Sequence, residues 1–230
     1  MTRSGHSPNG CSRLTSMLKR QLTLACTVFC MSSALLFADS LAPQRTYTKL
    51  TENGRYVFVM LSPYFPEHEA MIGFDESVVR DIRDSYQSSG LYRAGNESSP
   101  LWTVDWYARS AIPLSDGVHL VRPGPWATSS KSEAVSFFAK GRIVRSYSVS
   151  DLVLLPILMP HTVSHFTWRA GESVDDASNT YTIVTKHWEK YTFDVETGKI
   201  IESISPPRLL LISSLVVFLM IGSFRFFNTR

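Results

Sequence analysis

The chain has three cysteines, Cys11, Cys26 and Cys30, and none after them. That absence excludes a disulfide framework and a cysteine nucleophile from everything beyond residue 30. It also removes the thiolates that most structural zinc sites use. The region beyond is long enough to bury a core without covalent help. A large cysteine-free domain behind a targeting segment points to a bacterial envelope protein, where the formal sequon Asn96-Glu97-Ser98 is incidental. No G-x-S-x-G elbow, P-loop or dinucleotide fingerprint occurs. A surplus of positive charge is missing as well. The formal net charge is +3, but residues 41–207 hold 16 Lys and Arg against 19 Asp and Glu, a net −3. The basic excess therefore lies in the two ends, which argues for targeting and against a nucleic-acid partner.

The longest stretch without charge is Leu209–Phe224, LLLISSLVVFLMIGSF, bounded by Arg208 and Arg225. With Arg225–Phe227 it reaches about 28 Å as a helix, close to the ~30 Å hydrocarbon core of a bilayer. A buried core helix usually carries a polar face. Here Ser213, Ser214 and Ser223 are the only polar side chains of the run. The expectation is a C-terminal transmembrane helix with a short basic tail over residues 208–230.

The other end has signal-peptide order. Lys19 and Arg20 precede the apolar Leu22–Phe37, and Ala38-Asp39-Ser40 offers a cleavage site after Ser40. Cleavage after Ala42 would leave Pro43 following the cut. Residues 1–16 are polar, and Met17 opens a shorter, better-formed signal, so Met17 is the expected start. Leu24-Ala25-Cys26 resembles the end of a lipobox but lacks an apolar run before it. Basic residues flank both apolar segments on the side expected to be cytoplasmic. Residues 1–40 are thus read as extension and signal, and residues 41–207 as an extracytoplasmic domain of a single-pass type I membrane protein.

Glycine turns organise that domain. Asn53-Gly54, Asp116-Gly117, Lys140-Gly141 and Thr197-Gly198 each separate β-prone runs. The paired runs are Leu50/Tyr56–Leu61, Leu101–Leu114/Val118–Val121, Ala134–Phe138/Ile143–Val149 and Tyr191–Val195/Lys199–Ile204. Tyr191, Phe193 and Val195 alternate with Thr192, Asp194 and Glu196, and Trp102, Val104 and Trp106 form another apolar stripe. Arg55–Leu61 is apolar on both faces and reads as a central strand. One helix is predicted over about 75–88: Asp75 caps it, Val78, Val79, Ile82 and Tyr86 form its apolar face, and Gly90 follows. Pro156 and Pro160 limit a helical turn after Ser150. Pro63, Pro66, Gly95–Pro100 and Pro123–Ser132 read as loops, and the polar Gly171–Asn179 as the most mobile one. The fold class is mainly β: a single antiparallel, hairpin-rich domain with one helix.

The strand–turn–strand texture resembles the blades of secreted β-propellers. Four hairpins at irregular spacing, without a repeated blade signature, do not supply several four-stranded blades. No function follows from that texture.

Chemistry-bearing residues are sparse. His161 and His165 stand at i, i+4, a spacing that serves one metal ion on a helix. Pro160, Thr162 and Val163 favour extended chain instead, and there His161 and His165 lie ~13 Å apart. No metal or other cofactor is expected. Asp175-Asp176 and Glu67-His68-Glu69 are carboxylate pairs that could do acid–base work only beside an apolar pocket. Trp102 and Trp106 belong to the core stripe. Trp126 follows Pro123-Gly124-Pro125, and Trp188 stands among Lys186, Glu189 and Lys190, so these two are the candidate ligand-contacting residues. The expected function is a non-catalytic binding or scaffolding module of a bacterial envelope. Its partners would be the membrane and an envelope protein or polysaccharide. The alternative is an envelope hydrolase built on His161/His165 and Asp175/Asp176.

Overall fold

The computed structural model describes residues 43–160, 162 and 164–214. Its architecture is mainly β, with three four-stranded antiparallel sheets and a few short helices. The expected signal segment, and residues 215–230 of the expected transmembrane segment, lie outside the described residues.

Each sheet is a meander whose strands follow chain order. The first holds β1 (Tyr47–Leu50), β2 (Tyr56–Met60), β3 (Gly90–Arg93) and β4 (Trp102–Thr103). The second holds β5 (Ile112–Pro113), β6 (His119–Pro123), β7 (Glu133–Ala139) and β8 (Arg142–Ser148). The third holds β9 (Arg169–Asp175), β10 (Thr180–Thr185), β11 (Lys190–Asp194) and β12 (Ile200–Ile204). The expectation that the hairpins could not complete several four-stranded blades is therefore corrected. Strands outside the expected hairpins, β3, β9 and β10, fill the sheets, and the expected arm Leu101–Leu114 divides into β4 and β5.

The helices are α1 (Pro66–Met71), α2 (Glu76–Ser85) and α3 (Val149–Leu152), with a 3-10 turn over Pro156–Leu158. Residues 206–214 are also helical. The α2 helix starts where expected: Asp75 accepts from the Ser77 N–H at 2.9 Å. Pro66 is not in a loop but opens α1, because proline at the first helical position loses no hydrogen bond. Gly171–Asn179 is not a mobile loop either. Its first part belongs to β9, whose backbone pairs with β10 from Asp175↔Thr180 onward. An edge strand exposed on its outer side needs no apolar alternation. Leu101–Leu114 is not one hairpin arm: Trp102–Thr103 pairs back to β3, and only Ile112–Pro113 pairs with β6.

Packing runs through the middle sheet. Leu120 and Phe138 turn towards Phe58, Met60, Leu91 and Trp102 of the first sheet. Val121, Val135 and Phe137 turn towards Tyr181, Ile183, Tyr191 and Phe193 of the third. β6 and β7 are thus buried on both faces, which is why Ala134–Phe138 reads as a nearly continuous apolar run.

The junctions between sheets repeat. A Cβ on Gly141, in the β7–β8 turn, would meet the Thr103 carbonyl of β4 at 2.2 Å. A Cβ on Gly198, in the β11–β12 turn, would meet Arg145 of β8 at 2.6 Å. Each turn therefore presses on the last strand of the preceding sheet. The first hairpin loops also join in series. The Asn53 N–H donates to Ser115 Oγ at 3.1 Å, the Asn53 amide to the Ser115 carbonyl at 3.0 Å, and the Ser115 N–H to Asp176 Oδ1 at 2.8 Å.

With these loops gathered together, all three sheets point the same way. The loops that close β1–β2, β3–β4, β5–β6, β7–β8, β9–β10 and β11–β12 lie at one end, the turn end. The connections 61–89, 104–111, 124–132, 149–168 and 186–189 lie at the other, the loop end. Twelve strands in alternating directions also bring residue 43 in, and take residue 205 out, at the loop end.

Candidate functional site

A cavity lies at the loop end, where the first strands of the three sheets begin. Its volume is about 500 Å³, and its lining runs from Gln44 before β1 through Tyr107–Ser110 before β5 to Arg169 and Glu172 of β9. The end of β6 and the start of β7 complete it with Arg122, Trp126 and Glu133.

Hydrogen bonds hold the wall in place. The Tyr107 hydroxyl donates to the Arg45 carbonyl at 3.1 Å and accepts from the Arg45 N–H at 2.9 Å. The Tyr47 hydroxyl donates to the Ala108 carbonyl at 3.0 Å. Burial raises the pKa of both phenols, so both stay protonated as donors. The entry segment of β1 is thereby tied to the connection before β5.

Charged pairs set the character of the cavity. Arg122 grips Glu133 with two bonds, Nε at 3.0 Å and one terminal nitrogen at 2.6 Å. Its guanidinium carbon also lies 4.6 Å from the Trp106 ring centre and 4.9 Å from that of Phe138. Such a bidentate, stacked guanidinium is fixed in orientation. Arg169 bonds Glu172 at 2.5 Å and the Gly124 carbonyl at 3.2 Å. Glu172 also accepts from the Tyr181 hydroxyl. Burial, then the Glu172 charge, pushes the Tyr181 phenol up. Lys49 on β1 feels the same carboxylate: burial lowers its pKa and the Glu172 charge opposes that shift. Arg109 adds a third guanidinium to the lining.

Trp126 joins this cavity to a second of about 190 Å³ lined by His165, Phe166, Thr167 and Trp168. The indole stacks on the His165 ring, centroids 3.9 Å apart and planes 20° from parallel. Trp126 is half-buried rather than fully exposed, because the chain folds back along an Ala127–Phe166 bridge. Trp188 sits apart, in the β10–β11 turn at the loop end, 78 % exposed.

Among the described residues, His165 of the alternative hydrolase is not brought together with Asp175 and Asp176. His161 lies outside the described residues. His165 is buried with its ring nitrogen 2.9 Å from the Thr162 hydroxyl. Asp175 and Asp176 lie at the far end of β9, roughly 20 Å away at ~3.3 Å per strand residue. Both serve turns: Asp175 accepts from the Ala177 and Ser178 N–H groups, and Asp176 from Ser115. Glu67 pairs with Arg80 at the surface, while Glu69 is buried on Thr46 and Arg83. Among the described residues, no three His, Cys, Asp or Glu side chains gather as metal ligands.

Arg122, Glu133, Arg169 and Glu172 were not singled out from sequence as members of one site. They come from three strands of two sheets, so no spacing along the chain joins them. No protein-family model and no curated protein matches the chain.

Proposed function

We propose that the chain is a membrane-anchored, extracytoplasmic binding module of a bacterial envelope, with the cavity at the loop end as its ligand site. One observation carries the reading. A preorganised pocket of about 500 Å³ is lined by orientation-locked Arg–Glu pairs and an indole. A pocket of that size takes one small ligand or one end of a polymer. Fixed guanidinium and carboxylate groups beside an indole suit the hydroxyls and apolar faces of a sugar. An envelope polysaccharide is therefore the proposed ligand. The uncharged run Leu209–Phe224 supports anchoring. Among the described residues no helix is long and apolar enough to cross a membrane.

The test uses the anchored full chain with solubilised envelope polysaccharide. Binding followed by tryptophan emission is expected, with loss in Trp126→Ala and in Arg122→Ala. Equal binding by both variants would place the ligand elsewhere. Steady release of shortened glycan would replace the binding reading with a hydrolase.

A further inference from the structure

The most exposed large apolar side chains outside the strands and the helix over 206–214 share one location. Phe65 is 79 % exposed, Met71 83 %, Ile157 82 % and Trp188 78 %. They come from three separate connections, all at the loop end. Phe65 caps the start of α1 and Met71 ends it, and Glu69 fastens this helix to Thr46 at the entry of β1. Ile157 lies in the 3-10 turn before β9, and Leu158 beside it is 63 % exposed. Trp188 tops the β10–β11 turn.

Trp188 stands out further. Its φ is +64°, a left-handed conformation that a bulky side chain rarely adopts. The indole gains little from the fold in return, since most of it faces out. The turn beneath is rigidly held: buried Glu189 accepts from the Thr185 hydroxyl at 3.3 Å and from the Ser205 hydroxyl at 3.1 Å. Ser205 immediately precedes the helix over residues 206–214. A strained, exposed tryptophan is therefore bolted to the root of the segment that leads into the uncharged run. Lys186 lies two residues before Trp188 in the chain, and Arg208 three residues after Ser205.

We propose that the loop end is a membrane-seating surface, with Trp188, Phe65, Met71, Ile157 and Leu158 resting in the interfacial layer of the bilayer. This rests on the anchoring part of the proposed function. Tryptophan prefers that layer because its ring is apolar and its N–H polar, and basic neighbours suit anionic headgroups. The occupant follows from the chain itself. A helix leaving this end into sixteen uncharged residues brings a bilayer to this face. The cavity with Arg122 and Arg169 then opens towards the headgroups, and its ligand is taken at the membrane surface.

The experiment reconstitutes the full chain into phosphatidylethanolamine–phosphatidylglycerol vesicles, with and without brominated acyl chains. Flotation reads anchoring, and loss of tryptophan emission in the brominated vesicles reads seating. The expected result is flotation with quenching, and disappearance of most of that quenching in Trp188→Asn. That variant is expected to keep or raise the melting temperature, since asparagine tolerates positive φ. Flotation without quenching, or quenching unchanged in Trp188→Asn, overturns the seating and leaves the anchor standing. Absence of flotation overturns both. Copy-to-copy crosslinking of Ile157→Cys in place of quenching would assign the face to a second copy and overturn the proposal.

Discussion

Glu69 shows how much one side chain can carry in this fold. Its carboxylate is completely buried, and it accepts from the Thr46 N–H, from the Thr46 hydroxyl at 2.9 Å and from Arg83 at 3.2 Å. Arg83 also donates to the Ser62 and Tyr64 carbonyls. Removing the carboxylate strands both a backbone N–H and a largely buried cation. Glu69→Ala is expected to destabilise by about 3 kcal/mol, the lower end for a broken buried pair because Arg83 keeps some water. Glu69→Gln should lose less, and denaturant midpoints check both. Three aspartates at the turn end offer a second test. At Asp116 burial opposes the charge, but bonds from the His119 N–H, the His119 ring and the Val118 N–H outweigh it and hold the carboxyl low. Bonds from Ser178 hold Asp175 low, and bonds from Thr197 hold Asp194 low. A depressed folded pKa stabilises fully above the unfolded value of about 4 and is lost as pH falls through the folded value. Melting temperature should therefore be flat between about pH 7 and pH 5 on account of these groups and should fall below about pH 4. Changing all three to asparagine should shrink that acid limb. An acid limb of undiminished size would show that the turns do not depend on these charges.

At the scale of the element, the glycine turns separate conformational strain from packing. Gly95 and Gly141 both have positive φ, +78° and +77°. A methyl group on Gly95 meets nothing within 4 Å, whereas one on Gly141 collides with the Thr103 carbonyl. Gly95→Ala should cost only the left-handed penalty, about 1 kcal/mol. Gly141→Ala should cost clearly more, because β4 or the turn must move. Equal losses in thermal unfolding would mean that the turn does not hold the two sheets together. The same turns explain what was legible in the sequence. Asn53-Gly54, Lys140-Gly141 and Thr197-Gly198 sit between β-prone runs, and β1–β2, β7–β8 and β11–β12 form there. The central position of β2, buried between β1 and β3, follows from its two apolar faces. β10, Thr180–Thr185, alternates and was open to reading but lacks a glycine turn beside it; the other missed strands had no local signal. β9 is polar because its outer edge is wet, and β4 and β5 are two residues each. β3 begins at Gly90, which reads as a helix stop. It is glycine because a Cβ there would lie 2.2 Å from the Trp102 carbonyl. Of the cavity, Trp126 was legible from its proline–glycine loop. The Arg122–Glu133 pair forms only when β6 and β7 align, and Arg169–Glu172 reaches the same cavity only when β9 is brought beside them.

The whole molecule has a polarity that no single element shows. An even number of antiparallel strands returns the chain to the end where it entered, and three sheets joined through their first hairpins share that direction. Entry at residue 43 and exit at residue 205 therefore lie together with the cavity and the longest connections. The expected apolar segments continue from both of these points, one before residue 41 and one after residue 208. Under the proposed anchoring, a domain tethered through one end would place that end at the bilayer and its turn end away from it. Basic residues flank the two apolar runs, at Lys19 and Arg20 and at Arg225 and Arg230, which supports the proposal that the domain between them lies outside the cytoplasm. This holds whether the first apolar segment is cleaved or kept, since either way both basic flanks stay on the inner side. External protease applied to sealed spheroplasts should accordingly digest residues 41–207 and leave a short fragment containing the C-terminal run. The exposed turn end should be cut before the loop end, since the bilayer shields the latter. A domain fully protected until the spheroplasts are lysed would reverse the orientation, and it would move the ligand site to the cytoplasmic side.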